Sequence, residues 1–228
     1  ALLSNQLIKA SEESLLQKSY SFDTSGFCLL RSDTRTVVLK FGGEGIGHGH
    51  PDKLSITIHD GKNELVSDFG TSGYGVPDYL KWYKRTLSHN TVTVDAKDQK
   101  RSVGKLLKFN PRSDGGYAEA ETTTAYPGVR VKRSLDLKGT HLQDVYTCTS
   151  DSSHLYEYVI LFNEKPLMDG QPTATTLTGS EVHERIHNIF SYPHKSGFTC
   201  RTSSASVQFD IPEGEVMEVV LGEASGIP

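Results

Sequence analysis

From Tyr20 onward, apolar side chains recur at alternate positions in short runs, and Gly, Pro, Asn, Asp and Ser punctuate the gaps between them. Period-two alternation rich in β-branched and aromatic residues is the pattern of half-buried antiparallel strands. In "KLSITIH" it places Leu54, Ile56 and Ile58 on one face and Ser55, Thr57 and His59 on the other. The turn chemistry of "DGKN" follows, so "ELVSDFG" is expected as the return strand of a hairpin. Further strands are predicted at "HNTVTVD", at "GVRVKRSLDL" with Val129, Val131, Leu135 and Leu137 inward, and at "LQDVYTCTS", "LYEYVILF", "SVQFDI" and "VMEVVLG". So many half-apolar strands bury their inner faces by packing two sheets together. The expectation is an all-β fold, a large antiparallel β-sandwich, favoured over a barrel by the alternation and turn spacing.

The first 19 residues differ in texture: Leu2, Leu3, Leu7, Ile8, Leu15 and Leu16 lie among helix formers without Gly or Pro, which predicts one short helix. No repeat or linker divides the remainder, so the expected organisation is a helical segment over 1–19 and one domain over 20–228. A chain of 228 residues can bury roughly 70% of its unfolded surface and needs no staple. Its net charge of −4 with dispersed Lys and Arg offers no electrostatic footprint for nucleic acid or an anionic membrane, so neither is an expected partner. No apolar run approaches the roughly 20 residues of a spanning helix, and the opening residues lack the order of a signal peptide. The chain starts with Ala, which reads as a processed protein or a piece of a longer one. Three widely spaced cysteines, Cys28, Cys148 and Cys200, imply neither a disulfide framework nor a thiolate zinc site.

Candidate chemistry concentrates in "GIGHGHPDKL", where glycines at 42, 43, 45, 47 and 49 leave room for close approach. In an extended segment His48 and His50 share one side. The hairpin would bring Asp68 near them, and His89 in "TLSHNTVTVD" stands before another strand. His50, Asp68 and His89 together would suit zinc, with a fourth position open. H-x-H also arises by chance, and a His at a strand entry is more often a hydrogen-bonded turn residue, so spacing leaves both readings open. A cupin would want Glu shortly after the second His; Lys53, Leu54 and Ser55 stand there instead.

The combination of "GHGHPDKLSITIHDGKNELVSDFGTSGYG" with "WYKRTLSHNTVTVDAKDQ" resembles the C-terminal β-sandwich domain of the heparinase II/III family of polysaccharide lyases, over roughly residues 20–228. The resemblance implies β-elimination on uronate glycans of the heparin/heparan sulfate or alginate type, with a bacterial periplasmic or extracellular location. It assigns His48 to the substrate carboxylate or to proton transfer, and His50, Asp68 and His89 to a bound zinc that shapes the site. It further implies an N-terminal α/α toroid supplying an Asn and a Tyr. No segment here matches that toroid, so residues 1–19 are expected to be the end of its connector, and this chain alone to be a weak or inactive lyase.

Tyr74, Trp82, Lys84 and Arg85, with Lys81, Tyr79 and Tyr83 nearby, could form a platform for an acidic polysaccharide, aromatic faces stacking on sugars and cations meeting carboxylates. A solvated loop around one buried Trp accounts for them equally well. Asn90 and Gln99 are candidates to support the site through hydrogen bonds, and Glu44 and Asp52 to orient an imidazole. "HERIH", 183–187, matches a zinc-protease pattern on a short helix capped from Thr178 and Glu181, but no extended motif follows. The expected reading there is amphipathic, with Val182, Ile186 and Ile189 inward and the histidines solvated. His59 is expected in solvent, and His141 and His154 have no evident partner. The alternative function is a noncatalytic carbohydrate-binding or structural sandwich in which zinc holds loops together.

Overall fold

The computed structural model describes residues 18–43, 48–194, 197–210 and 217–224. The expected helix over 1–19 and Glu44 therefore fall wholly or almost wholly outside the described residues. Antiparallel hairpins dominate. Strands β1 (Tyr20–Phe22), β2 (Phe27–Arg31), β3 (Arg35–Lys40), β4 (Ser55–Asp60) and β5 (Asn63–Val66) form one sheet in sequential order. The predicted hairpin is β4–β5, closed at Asp60↔Asn63, with an irregularity between Ile58 and His59. Its return strand ends at Val66, so Asp68 sits on the segment leaving the sheet rather than in it.

After β6 (Val92–Val94), four long strands make the second sheet: β7 (Lys105–Arg112), β8 (Gly115–Tyr126), β9 (Val129–Lys138) and β10 (His141–Ser150), in the order β10-β9-β8-β7. Strand β11 (Tyr156–Tyr158) pairs with β6. Two small sheets complete the fold. One joins β12 (Leu167–Met168), β15 (Phe198–Arg201) and β16 (Ser206–Phe209); the other joins β13 (Thr173–Ala174), β14 (Ile186–His194) and β17 (Met217–Ala224).

The two large sheets face each other across a core of Leu30, Val37, Leu39 and Ile56 on one side and Ala118, Ala120, Val131, Leu135 and Leu137 on the other. This is the expected all-β sandwich. The alanines of β8 let β2 approach closely, and Gly116 adds to this, since a Cβ there would meet the Leu30 side chain at 3.1 Å. Cys28 lies in the same core, and burial, with Asp23 nearby, pushes its thiol up to about 12. A thiol that stays protonated and enclosed is inert. Native chain at pH 8 should leave Cys28 unlabelled by an aqueous thiol reagent under conditions that label all three cysteines after denaturation; rapid native labelling would mean that β2 is not packed this way.

The segment around "HERIH" departs from expectation. Only Glu181–Arg185 is helical, as a 3₁₀ turn capped by the Ser180 hydroxyl, and β14 begins at Ile186. His183 and His187 therefore sit on different elements. His183 is buried rather than solvated, its Nδ1 3.0 Å from the Thr178 carbonyl and its Nε2 3.0 Å from Glu157. His154 also has partners, with Asp95 at 2.9 Å and the Ser150 hydroxyl at 3.2 Å.

Candidate metal centre

The H-x-H segment is an irregular loop between β3 and β4, not an extended strand. It is held from beneath. Pro51, Asp52, Lys53 and Leu54 are all buried, and their backbone groups are met one by one. Thr86 donates its hydroxyl to the Pro51 carbonyl at 2.8 Å. The Gln99 amide brackets Lys53, accepting its N–H at 2.7 Å and donating to its carbonyl at 3.0 Å. Leu54 adopts a left-handed φ of 63° and donates its N–H to the Lys40 carbonyl at 2.8 Å. That conformation is strained for a branched side chain and persists because every neighbouring group is fixed.

The second histidine arrives on a 3₁₀ turn, Thr86–Ser88. Asn90 then ties three segments together: its amide nitrogen donates to the carbonyls of Ile56 at 2.9 Å and Ser67 at 2.7 Å, and its oxygen accepts the Leu161 N–H at 2.6 Å. Asn90 and Gln99 thus support the site as expected, by stapling backbone. The staple at Ser67 places Asp68 beside His89.

The centre itself is a pair of imidazoles with carboxylates around it. The rings of His50 and His89 lie 5.2 Å apart, centre to centre. His89 is 1% exposed, and its Nδ1 is 2.7 Å from Asp68 Oδ2. Burial works to raise the Asp68 carboxyl, but hydrogen bonding and charge from His89 and the Gly70 N–H hold it below the usual carboxylate range. An ionised carboxylate only accepts, so His89 Nδ1 is the donor of this pair, and in the neutral ring that leaves Nε2 as the acceptor. That Nε2 is buried and has no hydrogen-bonding partner among the described residues. Burial first, and His89 second, lower the pKa of His50, which favours its neutral, ligating form.

Ligand atoms of His50, Asp52 and His89 fall within 4.8 Å of one another. Asp52 is also hydrogen-bonded to Lys40 and, at 3.0 Å, to Lys53. Burial works to raise its carboxyl, and His89 and the two lysines outweigh it and keep it low. Spacing alone gave Asp52 only an orienting role; its approach to the imidazole pair emerges because Pro51–Leu54 turns inward. Of the expected zinc set, His50 and His89 come together directly, and Asp68 reaches the centre through the back of His89. The donor set, a carboxylate and two imidazoles of which one holds an orphaned buried nitrogen, fits a divalent ion of zinc type.

His48 is exposed, its Nδ1 hydrogen-bonded to the Tyr74 hydroxyl, and the Tyr74 ring stands edge-on to Tyr79. Lys84 Nζ lies 5.5 Å above the Tyr79 ring. Tyr74 therefore borders His48, and Lys84 is joined to that pair through the Tyr79 ring. Trp82 and Arg85 do not serve as the expected sugar platform. Trp82 is 4% exposed and packs against Phe69 in a cluster with Leu87 and Val182. The Arg85 guanidinium is engaged by Asp98 at 2.6 Å and Glu181 at 2.8 Å. Both residues close the underside of the loop, which is why a Trp flanked by cations resembled a surface platform in sequence.

The family model described as "Heparinase II/III-like, C-terminal" matches residues 15–211. The chain belongs to this family. An exo-oligoalginate lyase of Saccharophagus degradans is 28% identical over 153 residues, covering 56% of this chain and 20% of that protein. A heparin-sulfate lyase of Bacteroides stercoris is 35% identical over 99 residues, covering 39% and 15%. Among solved structures, a heparan sulfate lyase of Pedobacter heparinus superposes with a TM-score of 0.59 at 15% identity, over 80% of this chain and 28% of that one. A heparinase III gives 0.57 at 18%, over 90% and 33%. These structures share the fold. The chain spans less than a quarter of the length of the curated relatives it matches.

Proposed function

We propose that this chain is the C-terminal domain of a polysaccharide lyase that cleaves uronate-containing glycans by β-elimination. In that reaction a base removes the proton next to the uronate carboxylate, the bond to the 4-linked sugar oxygen breaks, a carbon–carbon double bond forms, and the departing oxygen is protonated. Abstraction beside a full negative charge is costly, so the carboxylate must first be neutralised by cations, imidazoles or other donors. His48 takes that part, exposed at the loop crest and hydrogen-bonded to Tyr74. Tyr74, beside His48, and Lys84, over the Tyr79 ring, contact the acidic polysaccharide.

His50 and His89 hold a zinc ion beneath, Asp52 is close enough to join them, and Asp68 takes part by fixing the His89 ring rather than by meeting the ion. The ion supplies a fixed positive charge that rigidifies the H-x-H loop. The proton acceptor and donor Tyr, and a supporting Asn, come from an upstream α/α toroid, and the whole enzyme works in the periplasm or outside a bacterial cell. The activities of the relatives, on oligoalginate, alginate and heparin sulfate, support an acidic glycan substrate.

The observation that carries the metal reading is the buried Nε2 of His89, without a hydrogen-bonding partner among the described residues, on a ring whose centre lies 5.2 Å from that of His50. Elemental analysis of the purified chain is expected to find about one zinc per molecule, lost on His89→Ala. The chain alone should release little unsaturated product, read by ultraviolet absorbance, and regain turnover when the upstream domain is restored. A metal-free chain would sink the zinc centre. Metal retained, with restored activity indifferent to His48, would favour a structural or carbohydrate-binding role instead.

A further inference from the structure

The inward row of β9 runs Val129, Val131, Arg133, Leu135, Leu137, and all five are buried. A guanidinium interrupts an apolar row at its centre and is 0% exposed. For stability alone such a position is commonly served as well by an apolar side chain, so the destinations of its donors are informative.

Arg133 carries five N–H groups, and each has an acceptor. Nε donates to Asp144 Oδ1 at 2.9 Å, and Nη2 to Asp144 Oδ2 and to the Tyr158 hydroxyl at 3.1 Å. Nη1 donates to the Leu54 carbonyl at 2.6 Å and to the Asn90 carbonyl at 2.7 Å. Those last two acceptors lie outside the sheet that carries Arg133. One closes the loop bearing His50, and the other directly follows His89. One nitrogen of the guanidinium, Nη1, thereby grips both histidine-bearing segments from the opposite layer of the sandwich, while Asp144 fixes the other two nitrogens. Tyr146 reinforces one grip: the guanidinium lies 4.8 Å over its ring, and its hydroxyl reaches the Leu54 carbonyl at 3.2 Å and Thr91 Oγ1 at 2.7 Å.

We propose that Arg133 is a positioning residue that sets the separation of the His50 and His89 imidazoles by anchoring the Leu54 and Asn90 carbonyls to one guanidinium. It touches neither the ion nor the substrate. The inference rests on the zinc reading above for its purpose, although the geometry it asserts is independent of metal. Lysine cannot substitute, since its one ammonium has no further nitrogens to pair with Asp144 while a single nitrogen holds the Leu54 and Asn90 carbonyls.

The test uses the 228-residue chain in four forms: wild type, Arg133→Lys, Tyr146→Phe, and Leu137→Ala as a core control on the same strand. Two readouts are taken: the nuclear Overhauser contact between the His50 and His89 rings in metal-free protein, and zinc affinity by calorimetric titration. Arg133→Lys is expected to lose the inter-ring contact and to weaken zinc about 10–100-fold, the loss typical when support of a ligating imidazole is removed. Leu137→Ala, despite its lower melting temperature, should keep both. Tyr146→Phe leaves the ring beneath the guanidinium and removes only a hydroxyl, so it should weaken zinc by a smaller factor while remaining folded. Should Arg133→Lys fail to fold, Tyr146→Phe decides: unchanged contact and affinity there overturn the proposal. So does retention of both in Arg133→Lys, or equal loss in the Leu137→Ala control. If wild type takes up no zinc, the metal reading fails, and the inter-ring contact alone decides the role of Arg133.

Discussion

Asp144→Ala is expected to destabilise the chain by about 3–5 kcal/mol, the usual penalty when one partner of a buried ion pair is removed and the other charge is left uncompensated. Arg133 is fully enclosed, and Asp144 is its only carboxylate partner among the described residues. Burial opposes the charge on Arg133 and Asp144 more than offsets it; without Asp144 the guanidinium still cannot shed its proton to escape, because arginine stays charged in proteins. Tyr158 donates its hydroxyl to the same carboxylate at 2.7 Å and would lose its acceptor too. Urea unfolding should show a lower midpoint with an unchanged slope, because native compactness is retained while the native state is raised in energy. Replacing both residues, Arg133→Met with Asp144→Leu, should recover much of the loss by removing the unpaired charge altogether. An Asp144→Ala chain as stable as wild type would mean that the guanidinium reaches water and that the buried network is not as described.

The sandwich was legible from Tyr20 onward because its central hairpins obey a simple rule. Along β9 and β10, alternate positions face opposite sides, and the sequence of Val129 to Lys138 shows it directly. β8 hides the same rule. Its inward residues are Ala118 and Ala120 between glutamates, too small to register as an apolar row, though their smallness is what lets β2 pack close. "HERIH" misled in the other direction. Its helical spacing was real, but Ile186 onward pairs with β17, and pairing with a distant strand overrides a local preference that only a full helix could exploit.

At the centre, residue types at strand entries pointed to His50 and His89, and to Asp68 near the hairpin end. Spacing carried no information about Asp52 turning inward, nor about Arg133 reaching across the sandwich, because both depend on contacts between residues far apart in the chain. Arg133 did leave one trace: a charge in the middle of an otherwise apolar alternating row. Trp82 shows the converse hazard, since flanking cations describe the neighbours of a side chain and not its direction.

Under the proposed function, two histidines one residue apart should fail in different ways when the chain is joined to the proposed upstream domain. His48→Ala is expected to lower kcat by about 10²–10⁴-fold, the usual contribution of a positioned proton-transfer or charge-stabilising group, while the zinc content stays at that of wild type. His48 is exposed and is hydrogen-bonded to Tyr74, a residue outside the His50–Asp52–His89 group, so its removal disturbs no ligand. His50→Ala should instead release the metal, and its loss of activity should track the loss of zinc across a titration with chelator. The lowered pKa of His50, caused first by burial and then by His89, keeps that imidazole neutral and ready to coordinate at neutral pH, whereas His48 is exposed to solvent. Measuring zinc and initial rates on the same preparations separates the two roles. If His48→Ala sheds zinc as readily as His50→Ala, the imidazoles act as one ligand pair, and the group that meets the uronate carboxylate must be sought among Tyr74, Lys84 and the upstream domain.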